Sequence, residues 1–182
     1  MSSLSVRDIT SEPPADHCIQ QVEEIFEEHY ALTYRTAYAI LGRAEDAEDV
    51  VQSIFLGLLR RDTSPDLKKN PAGYLYRAAV NSSLNSIRAE KRRVRAMDHA
   101  VGESRPSADC DAAEEQHRRL YDAVAQLAPD AANMLILRYT HNHSDAQIAK
   151  LLGMSRAAVA VRLFRSRARL RKLMEAGHES PQ

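Results

Sequence analysis

The sequence predicts an all-α protein of two small helical domains joined by a flexible linker. Apolar residues recur every three or four positions through most of the 182-residue chain, which is the period of an amphipathic helix. Helix start signals are also present: Asn70 precedes Pro71, a favoured pair at a helix N-terminus, and Ser144 is a good N-cap. Alternating apolar and polar runs, which are typical of strands, are missing from the sequence.

The first helical domain is predicted to span residues 18–96 and to hold three helices. The first helix covers 18–41 and is ended by Gly42. The second begins near Glu45, where acidic residues suit the positive end of a helix, and the third begins at Pro71. A disordered polar leader is predicted at 1–17 and a loop at 62–69. The third helix is predicted to end near residue 95.

The second helical domain is predicted at 115–175, after an acidic linker at 97–114 and before a short tail at 176–182. The linker contains Gly102 and Pro106 among several acids, and it lacks a helical period. Two helices open the second domain, and a third and fourth follow them. The acidic linker is compatible with a simple tether or with a segment that interacts through its charge.

Residues 144–172 are typical of a helix-turn-helix, in which the second helix lies in the major groove of DNA. Ala149 is small enough for two helices to cross closely, Gly153 suits the turn, and Ser155 can cap the second helix. An ordinary solvated helix is the alternative, but seven cations without one acid disfavour it. These cations are Arg156, Arg162, Arg165, Arg167, Arg169, Arg171 and Lys172.

The charges are segregated along the chain, although 25 basic and 25 acidic residues give a formal net charge of zero. Residues 86–95 carry five cations and one acid, whereas residues 98–115 carry six acids and one arginine. Acids also cluster at 23–28 and 45–49. Basic surfaces can bind phosphates, while acidic surfaces repel DNA and suit a basic protein partner.

Several classes of protein are disfavoured by the sequence. No run approaches the roughly 18 apolar residues of a membrane span, and the N-terminus lacks an export core, so a cytoplasmic protein is predicted. Cys18 and Cys110 form neither a disulfide framework nor a metal-type pair. We expect His141 and His143 to be solvated loop residues, and we predict no metal or cofactor.

Three stretches resemble the extracytoplasmic-function (ECF) sigma factors, the smallest bacterial sigma factors. Residues 46–56 are similar to the polymerase-binding helix of that family. Residues 74–81, continuing to Arg88 and Arg93, are similar to its promoter-opening helix, and the helix-turn-helix is similar to its upstream promoter reader. The resemblance implies a protein that is not an enzyme, binds core RNA polymerase and promoter DNA, and needs neither a membrane nor a small-molecule substrate. An anti-sigma factor is a further partner that it leaves open.

The resemblance also implies a role for individual residues. The acidic helix would dock on a coiled coil of the largest polymerase subunit, with charge orienting the approach and Phe55 as an apolar anchor. In the promoter-opening helix, Tyr74 stands where many members of the family have Trp. The polymerase-binding residues implied are Asp46, Asp49, Gln52 and Phe55; those for the minus-ten element are Tyr74, Tyr76, Arg77, Asn81, Asn85, Arg88, Arg92 and Arg93.

The helix-turn-helix would read the minus-thirty-five element. Arg side chains are the usual readers of guanine, while Phe164 would either contact a thymine methyl or pack inside. Ala158, Ala160 and Val161 stand where polar or basic residues are common, so specificity would depend on few arginines and on DNA shape. The residues implied are Ser155, Arg156, Arg162, Phe164, Arg165 and Arg167.

Two other functions compete with this one. A free-standing helix-turn-helix regulator that acts as a dimer would need a dimerisation surface and a palindromic operator. A metal-dependent helical hydrolase would need ligands that complement the acids at 45–49, and the sequence offers no such partners. The arginine-rich third helix favours the sigma factor, because it predicts a second contact with DNA.

Overall fold

The computed structural model describes residues 14–60, 65–100 and 112–178, and within these ranges it is built of helices without strands. The all-helical prediction is thus confirmed. The helices are α1 (Pro14–Leu41), α2 (Ala44–Leu59), α3 (Pro65–Lys69), α4 (Pro71–Ala100), α5 (Ala112–Val124), α6 (Pro129–Tyr139), α7 (Asp145–Leu152) and α8 (Arg156–His178). We call α1–α4 the N-terminal unit and α5–α8 the C-terminal unit.

Some boundaries differ from the prediction. α1 begins at Pro14, inside the predicted leader, and α4 continues to Ala100, inside the predicted linker. The predicted loop at 62–69 contains α3, because the side chain of Leu67 is fully buried and holds this short turn against the core. The predictions for the rest of the leader, the centre of the linker and the end of the tail lie outside the described residues.

The N-terminal unit packs α1 against α2 and α4. Gly42 takes a φ of 74° between α1 and α2, a left-handed conformation that favours glycine and lets the chain reverse. The apolar faces of the helices then meet in one core. It contains Val22, Ala37, Ala47, Val50, Val51, Ile54, Phe55, Leu58, Leu67, Leu75 and Ala79.

The C-terminal unit contains the predicted helix-turn-helix. The Ser144 hydroxyl accepts the backbone N–H of Gln147, and the Gln147 side chain accepts the backbone N–H of Ser144, which forms a capping box at the start of α7. Gly153 ends α7 with a φ of 68°. Ser155 then accepts the N–H of Ala158 at the start of α8. The predicted capping and turn residues are confirmed.

The two units share a second hydrophobic core. Tyr76, Val80 and Leu84, at successive turns of α4, join a cluster whose other members come mainly from α5–α8. Among those members are Tyr121, Met134 and others along α6, which is buried over most of its circumference. The two helical units are therefore present as predicted, but they pack against each other through α4.

Candidate functional site

The acidic face of α2 lies at the surface of the N-terminal unit. Asp49 and Gln52 are exposed, and Asp46 is half-buried, 3.7 Å from the guanidinium of Arg43. Glu45 is also exposed and lies 3.6 Å from the same guanidinium. Three of the four residues predicted to bind polymerase are therefore available to a partner.

Phe55 was predicted as the apolar anchor of this face, and the structure contradicts that prediction. Its side chain is only 6% exposed, and its ring meets the ring of Phe26 edge-on at a centroid distance of 4.7 Å. The neighbouring Leu56 is 50% exposed and Leu59 is also exposed. The helical period could have found this, because Phe55 continues the buried line through Val51 whereas Leu56 points about 100° away.

Three residues predicted to contact the minus-ten element come together on α4. Tyr74, Arg77 and Asn81 are each half-buried and line one cleft of about 670 Å³. Lys69 and Asn70 of the N-terminal unit extend this wall. Spacings of three and four residues place these side chains on one face of the helix, so an aromatic ring, a cation and an amide share one site.

The other polar residues predicted on α4 lie further along the helix, outside this cleft. Arg88 donates from Nε to the Ala125 carbonyl at 2.6 Å and from a terminal nitrogen to Asn85 Oδ1 at 2.6 Å. Arg93 pairs with Glu90 at 2.7 Å, and Arg92 is exposed. With the two units packed together, the members of this group that remain fully exposed are therefore Asn85, Arg92 and Arg93.

Tyr76 was predicted to contact DNA, but its side chain is fully buried. Its hydroxyl donates to the Asn133 carbonyl at 2.9 Å, and its ring meets His141 edge-on at 5.8 Å. Burial raises the pKa of the Tyr76 hydroxyl well above its ordinary value, with a smaller contribution from Tyr121. Tyr76 cannot reach DNA in this arrangement, because α6 of the C-terminal unit covers it.

The outer face of α8 is open and largely cationic. Val159 and Leu163 are buried, so the residues that project away from them are exposed. Phe164 is 73% exposed, which excludes the alternative that it packs inside. Val161, which stands where polar or basic residues are common in the family, is 50% exposed on the same side. The exposed predicted residues are Ser155, Arg156, Arg162, Phe164, Arg165 and Arg167.

One of these arginines already has a carboxylate partner. Arg162 lies 3.1 Å from Asp130 at the start of α6. Both side chains are about half-exposed or more, so the pair is worth little in water and a phosphate can replace the carboxylate. Arg167 bonds weakly to the Leu163 carbonyl, at 3.4 Å from Nε.

His141 is not the solvated loop residue that we expected. It is half-buried, its Nε2 lies 3.2 Å from the Thr36 hydroxyl of α1, and it packs on Tyr76. Burial lowers the pKa of His141, and His143 and Arg35 lower it further. No group of His, Cys, Asp or Glu in the described ranges could hold a metal ion, and no helix there is long and apolar enough to cross a membrane.

Comparison with known proteins identifies these units. Residues 25–93 match the model of sigma-70 region 2, and residues 117–170 match that of sigma-70 region 4. The two helical units thus define a transcription factor of the sigma-70 class. Together the matches span more than half of the chain, and they coincide with the helices that carry the acidic face of α2, the α4 cleft and the basic face of α8.

Individual relatives show which group of sigma factors the chain resembles. The RNA polymerase sigma-E factor of Streptomyces avermitilis is 29% identical over 161 residues, covering 87% of each protein. The ECF RNA polymerase sigma factor SigM of Mycobacterium tuberculosis is 27% identical, covering 84% of this chain and 76% of that protein. A solved sigma factor, RpoE of Bartonella quintana in complex with the anti-sigma factor NepR, aligns at 19% identity over 86% of this chain and 98% of that chain, with a TM-score of 0.49. The two family-model matches and the two sequence relatives together show that the chain belongs to the ECF sigma factors.

Proposed function

We propose that this protein binds core RNA polymerase and directs it to specific promoters, where it reads the minus-thirty-five element through α8 and opens the minus-ten element through α4. It is a transcription initiation factor, and its work is binding rather than catalysis. We infer that it acts in the cytoplasm, where bacterial RNA polymerase transcribes. An anti-sigma factor stays a predicted partner.

The observation that carries this proposal is the separation of charge between helices with different roles. The exposed face of α2 presents acids beside Leu56, whereas the exposed face of α8 presents arginines beside Phe164. A basic protein surface fits the first face, and DNA phosphates and bases fit the second. One chain that presents both is suited to bridging a protein and a promoter.

The α4 cleft suits single-stranded DNA. Removing a base from the stack costs a few kcal/mol, which aromatic stacking and hydrogen bonds to the base can offset. Tyr74 offers a ring, Asn81 can donate and accept, and Arg77 can neutralise a phosphate. The stand-alone dimeric regulator, which was the alternative function, is not favoured, because the chain matches both sigma-70 region 2 and sigma-70 region 4. That alternative also assigns no task to this cleft.

Co-elution with purified core polymerase tests the α2 face. The variant Asp49→Lys should lose much of its affinity for core, because it reverses a charge in the centre of the acidic face. Glu24→Lys is the matched control: it makes the same charge change at an exposed acid of α1 in the same unit. Equal affinity of the Asp49→Lys variant and the natural chain would contradict the assignment of this face.

A comparison of duplex and pre-melted promoters tests the α4 cleft. The variant Asn81→Ala should reduce open-complex formation on duplex DNA more than on a promoter that is already melted at the minus-ten element. The reason is that the lost amide would otherwise help to hold an extruded base. An equal loss on both templates would show that Asn81 does not contribute to melting.

A further inference from the structure

The face of α8 that points away from the protein is apolar along its centre, although the helix is rich in arginine. Val159 and Leu163 are buried and mark the side that packs on the rest of the C-terminal unit. Each residue of an α-helix is turned by about 100° from the one before, so Val161 lies about 200° from Val159, almost opposite the packed side. Val161 is 50% exposed, and Ala157, which lies on the same side, is exposed as well.

This apolar surface continues for three turns of the helix. Four exposed side chains at positions i, i+4, i+7 and i+11 form it, which is the spacing of a single helical stripe. We call them the outer line of α8: Ala157, Val161, Phe164 and Ala168. Single exposed apolar residues are common on protein surfaces, whereas a continuous exposed line indicates a binding surface.

Arginines flank the outer line on both sides and do not interrupt it. The helical period places Arg162 and Arg165 on one side of the line and Arg167 on the other, and all three are exposed. The sequence has no acid between residues 156 and 174, so the cations of this stretch are not neutralised from within it. The outer line is therefore an apolar strip between two cationic edges.

The dimensions and charges of this face fit the major groove of B-form DNA. A helix with its side chains is about 10–12 Å across, and the major groove is about 12 Å wide. The cationic edges then lie beside the two phosphate backbones, and the outer line faces the base edges on the floor of the groove. Val161 lies in the first half of α8, which is the half that contacts bases in helix-turn-helix proteins.

Thymine is the base whose major-groove edge suits an apolar side chain. Its C5-methyl group is apolar, whereas the other groups on this edge of the base pairs are hydrogen-bond donors and acceptors. An aliphatic side chain packed on the methyl group removes both from water, which is favourable. The same side chain packed on a guanine or cytosine edge would leave polar groups without partners, which costs free energy. The outer line therefore favours thymine and disfavours G·C pairs.

We propose that Val161 is a specificity-determining residue, which selects thymine in the minus-thirty-five element by covering its C5-methyl group. This inference rests on the proposed function. Ala157 and Phe164 extend the contact on either side of Val161. Between these two residues the helix rises about 10.5 Å, which is close to three base pairs at ~3.4 Å each. The element should therefore contain up to three A·T pairs whose methyl groups face α8.

This assignment differs from the expectation based on the sequence, in which few arginines and the shape of the DNA carried the specificity. On the folded helix, the side chains most directly opposed to the packed side are aliphatic or aromatic. The arginines at the edges of the line are placed for phosphates. Part of the specificity therefore belongs to a residue without hydrogen-bonding groups.

A second copy of the chain fits the outer line less well than DNA does. Two α8 helices packed along their outer lines would bring the arginine edges of both copies together, and like charges repel. DNA instead supplies negative charge along both edges. The charges beside the line therefore favour DNA as its partner.

Holoenzyme assembled from this chain and core polymerase tests the inference on two matched probes. A promoter is first recovered from a pool of duplexes with a random minus-thirty-five segment. It is then synthesised with either thymine or deoxyuridine in that segment, because deoxyuridine keeps every hydrogen-bonding group and lacks only the methyl group. The thymine probe should bind more tightly, by about threefold to fourfold for each methyl group that is covered.

The variant Val161→Ala separates a direct contact from other effects of the methyl group. Alanine is a strong helix former, so the helix should be kept. The preference for the thymine probe should fall by about twofold to fourfold, because two methyl groups of the side chain are lost from the contact. Binding of the deoxyuridine probe should change little.

Two further variants supply the comparison. Arg167→Ala should weaken binding of both probes equally and lower the number of phosphates inferred from the salt dependence by about one. Tyr139→Ala removes a side chain on α6 of the same unit that is 62% exposed, and it should leave both the affinity and the preference unchanged. A loss of preference confined to the outer line would support the inference.

Several results would overturn it. These are a selected segment without thymine, equal binding of the two probes, and a thymine preference that survives in Val161→Ala, which would assign the methyl effect to DNA shape. A variant that changed the molar mass of the free chain, or its affinity for core polymerase, while leaving the probes unaffected would identify a protein contact instead.

The proposed function and this inference fail in different ways. A chain that forms no promoter-selective holoenzyme would defeat the proposed function and this inference with it. A holoenzyme that selects promoters but is indifferent to the methyl groups would defeat this inference alone.

Discussion

Tyr76 of α4 and Phe164 of α8 were both predicted to contact promoter DNA, yet their surroundings are opposite. Tyr76 is fully buried and bonded to the Asn133 carbonyl, whereas Phe164 is 73% exposed. Both residues belong to helices rich in arginine. Composition and period therefore do not decide whether a face of a helix is available to DNA; the number of neighbours around that helix does.

α8 packs through one line of residues that includes Val159 and Leu163, which leaves its outer face free. α4 packs on two sides: Leu75 and Ala79 face the N-terminal core, and Tyr76 faces the C-terminal unit. A helix that is covered on two sides has little surface left for DNA unless one neighbour departs. The α8 face is thus ready for DNA, while the α4 face is partly closed.

Truncation of the two aromatic side chains should give the largest contrast. Tyr76→Ala should lower the free energy of unfolding by about 3–5 kcal/mol, as expected for loss of a large buried ring. Phe164→Ala should change it by less than about 0.5 kcal/mol, because the ring is exposed. Urea denaturation of both variants checks this, and similar losses would contradict the contrast between the helices.

Removal of an arginine from the open face should give the next largest effect. Arg165→Ala should weaken promoter binding by the polymerase complex by about 1–3 kcal/mol and relax the preference for one base, if Arg165 reads a base edge. Binding to a cognate promoter and to single-base variants of its minus-thirty-five element would be measured. A uniform loss across all of these sequences would identify Arg165 as a phosphate contact instead.

Removal of the N-cap of α8 or of α4 tests the same comparison between the two helices, with a smaller expected loss of stability. Ser155→Ala removes the cap of α8 and should cost about 1 kcal/mol of stability. Asn70→Ala should cost more, because Asn70 both caps α4 and satisfies the Leu151 carbonyl across the interface. Thermal unfolding of the two variants would be compared. Equal costs would mean that the bond to Leu151 contributes nothing.

The smallest expected effect is the pH dependence of docking, by which we mean the packing of the C-terminal unit against α4 and α1. The pKa of His141 is lowered in the docked state by burial, then by His143 and Arg35, so its neutral form is favoured there. A separated state would protonate near the ordinary pKa of about 6.5. Docking should therefore be strongest above that pH, weaken as the pH falls through it, and level off below the lowered pKa.

Small-angle scattering at a series of pH values checks this expectation, with His141→Gln as the control. The control should have a flatter profile, because the group that contacts Thr36 and Tyr76 would no longer titrate. Expansion of the natural chain at high pH, or the same profile in both proteins, would contradict the role of His141.

Much of this molecule could be predicted from its sequence, because the helix signals are local. The capping box at Ser144, the turn at Gly153 and the clustering of arginines along α8 follow from residue type and period. The burial of Phe55 could also be predicted, because this residue continues an apolar line of α2. The family motif implies an exposed aromatic anchor at this position, whereas the helical period of this chain places Phe55 in the core.

Other features depend on contacts between distant parts of the chain. Three features require the two units to pack together: the burial of Tyr76, the position of His141 against α1, and the presence of Asp130, Leu152 and Gly153 in the lining of the α4 cleft. No local pattern indicates this, because the apolar stripe of α4 reads equally well as part of one domain's own core. The lack of room for a side chain at Gly73 likewise appears only in the folded chain, where the Leu151 carbonyl oxygen lies where a Cβ atom would be.

Run-off transcription with purified core polymerase on a library of random promoters tests the central claim most directly. The account predicts transcripts that start at a limited set of sites and require this chain, together with little binding of those promoters by the chain alone. Transcripts that are the same with and without the chain, or tight binding of a palindromic site by the chain alone, would contradict it.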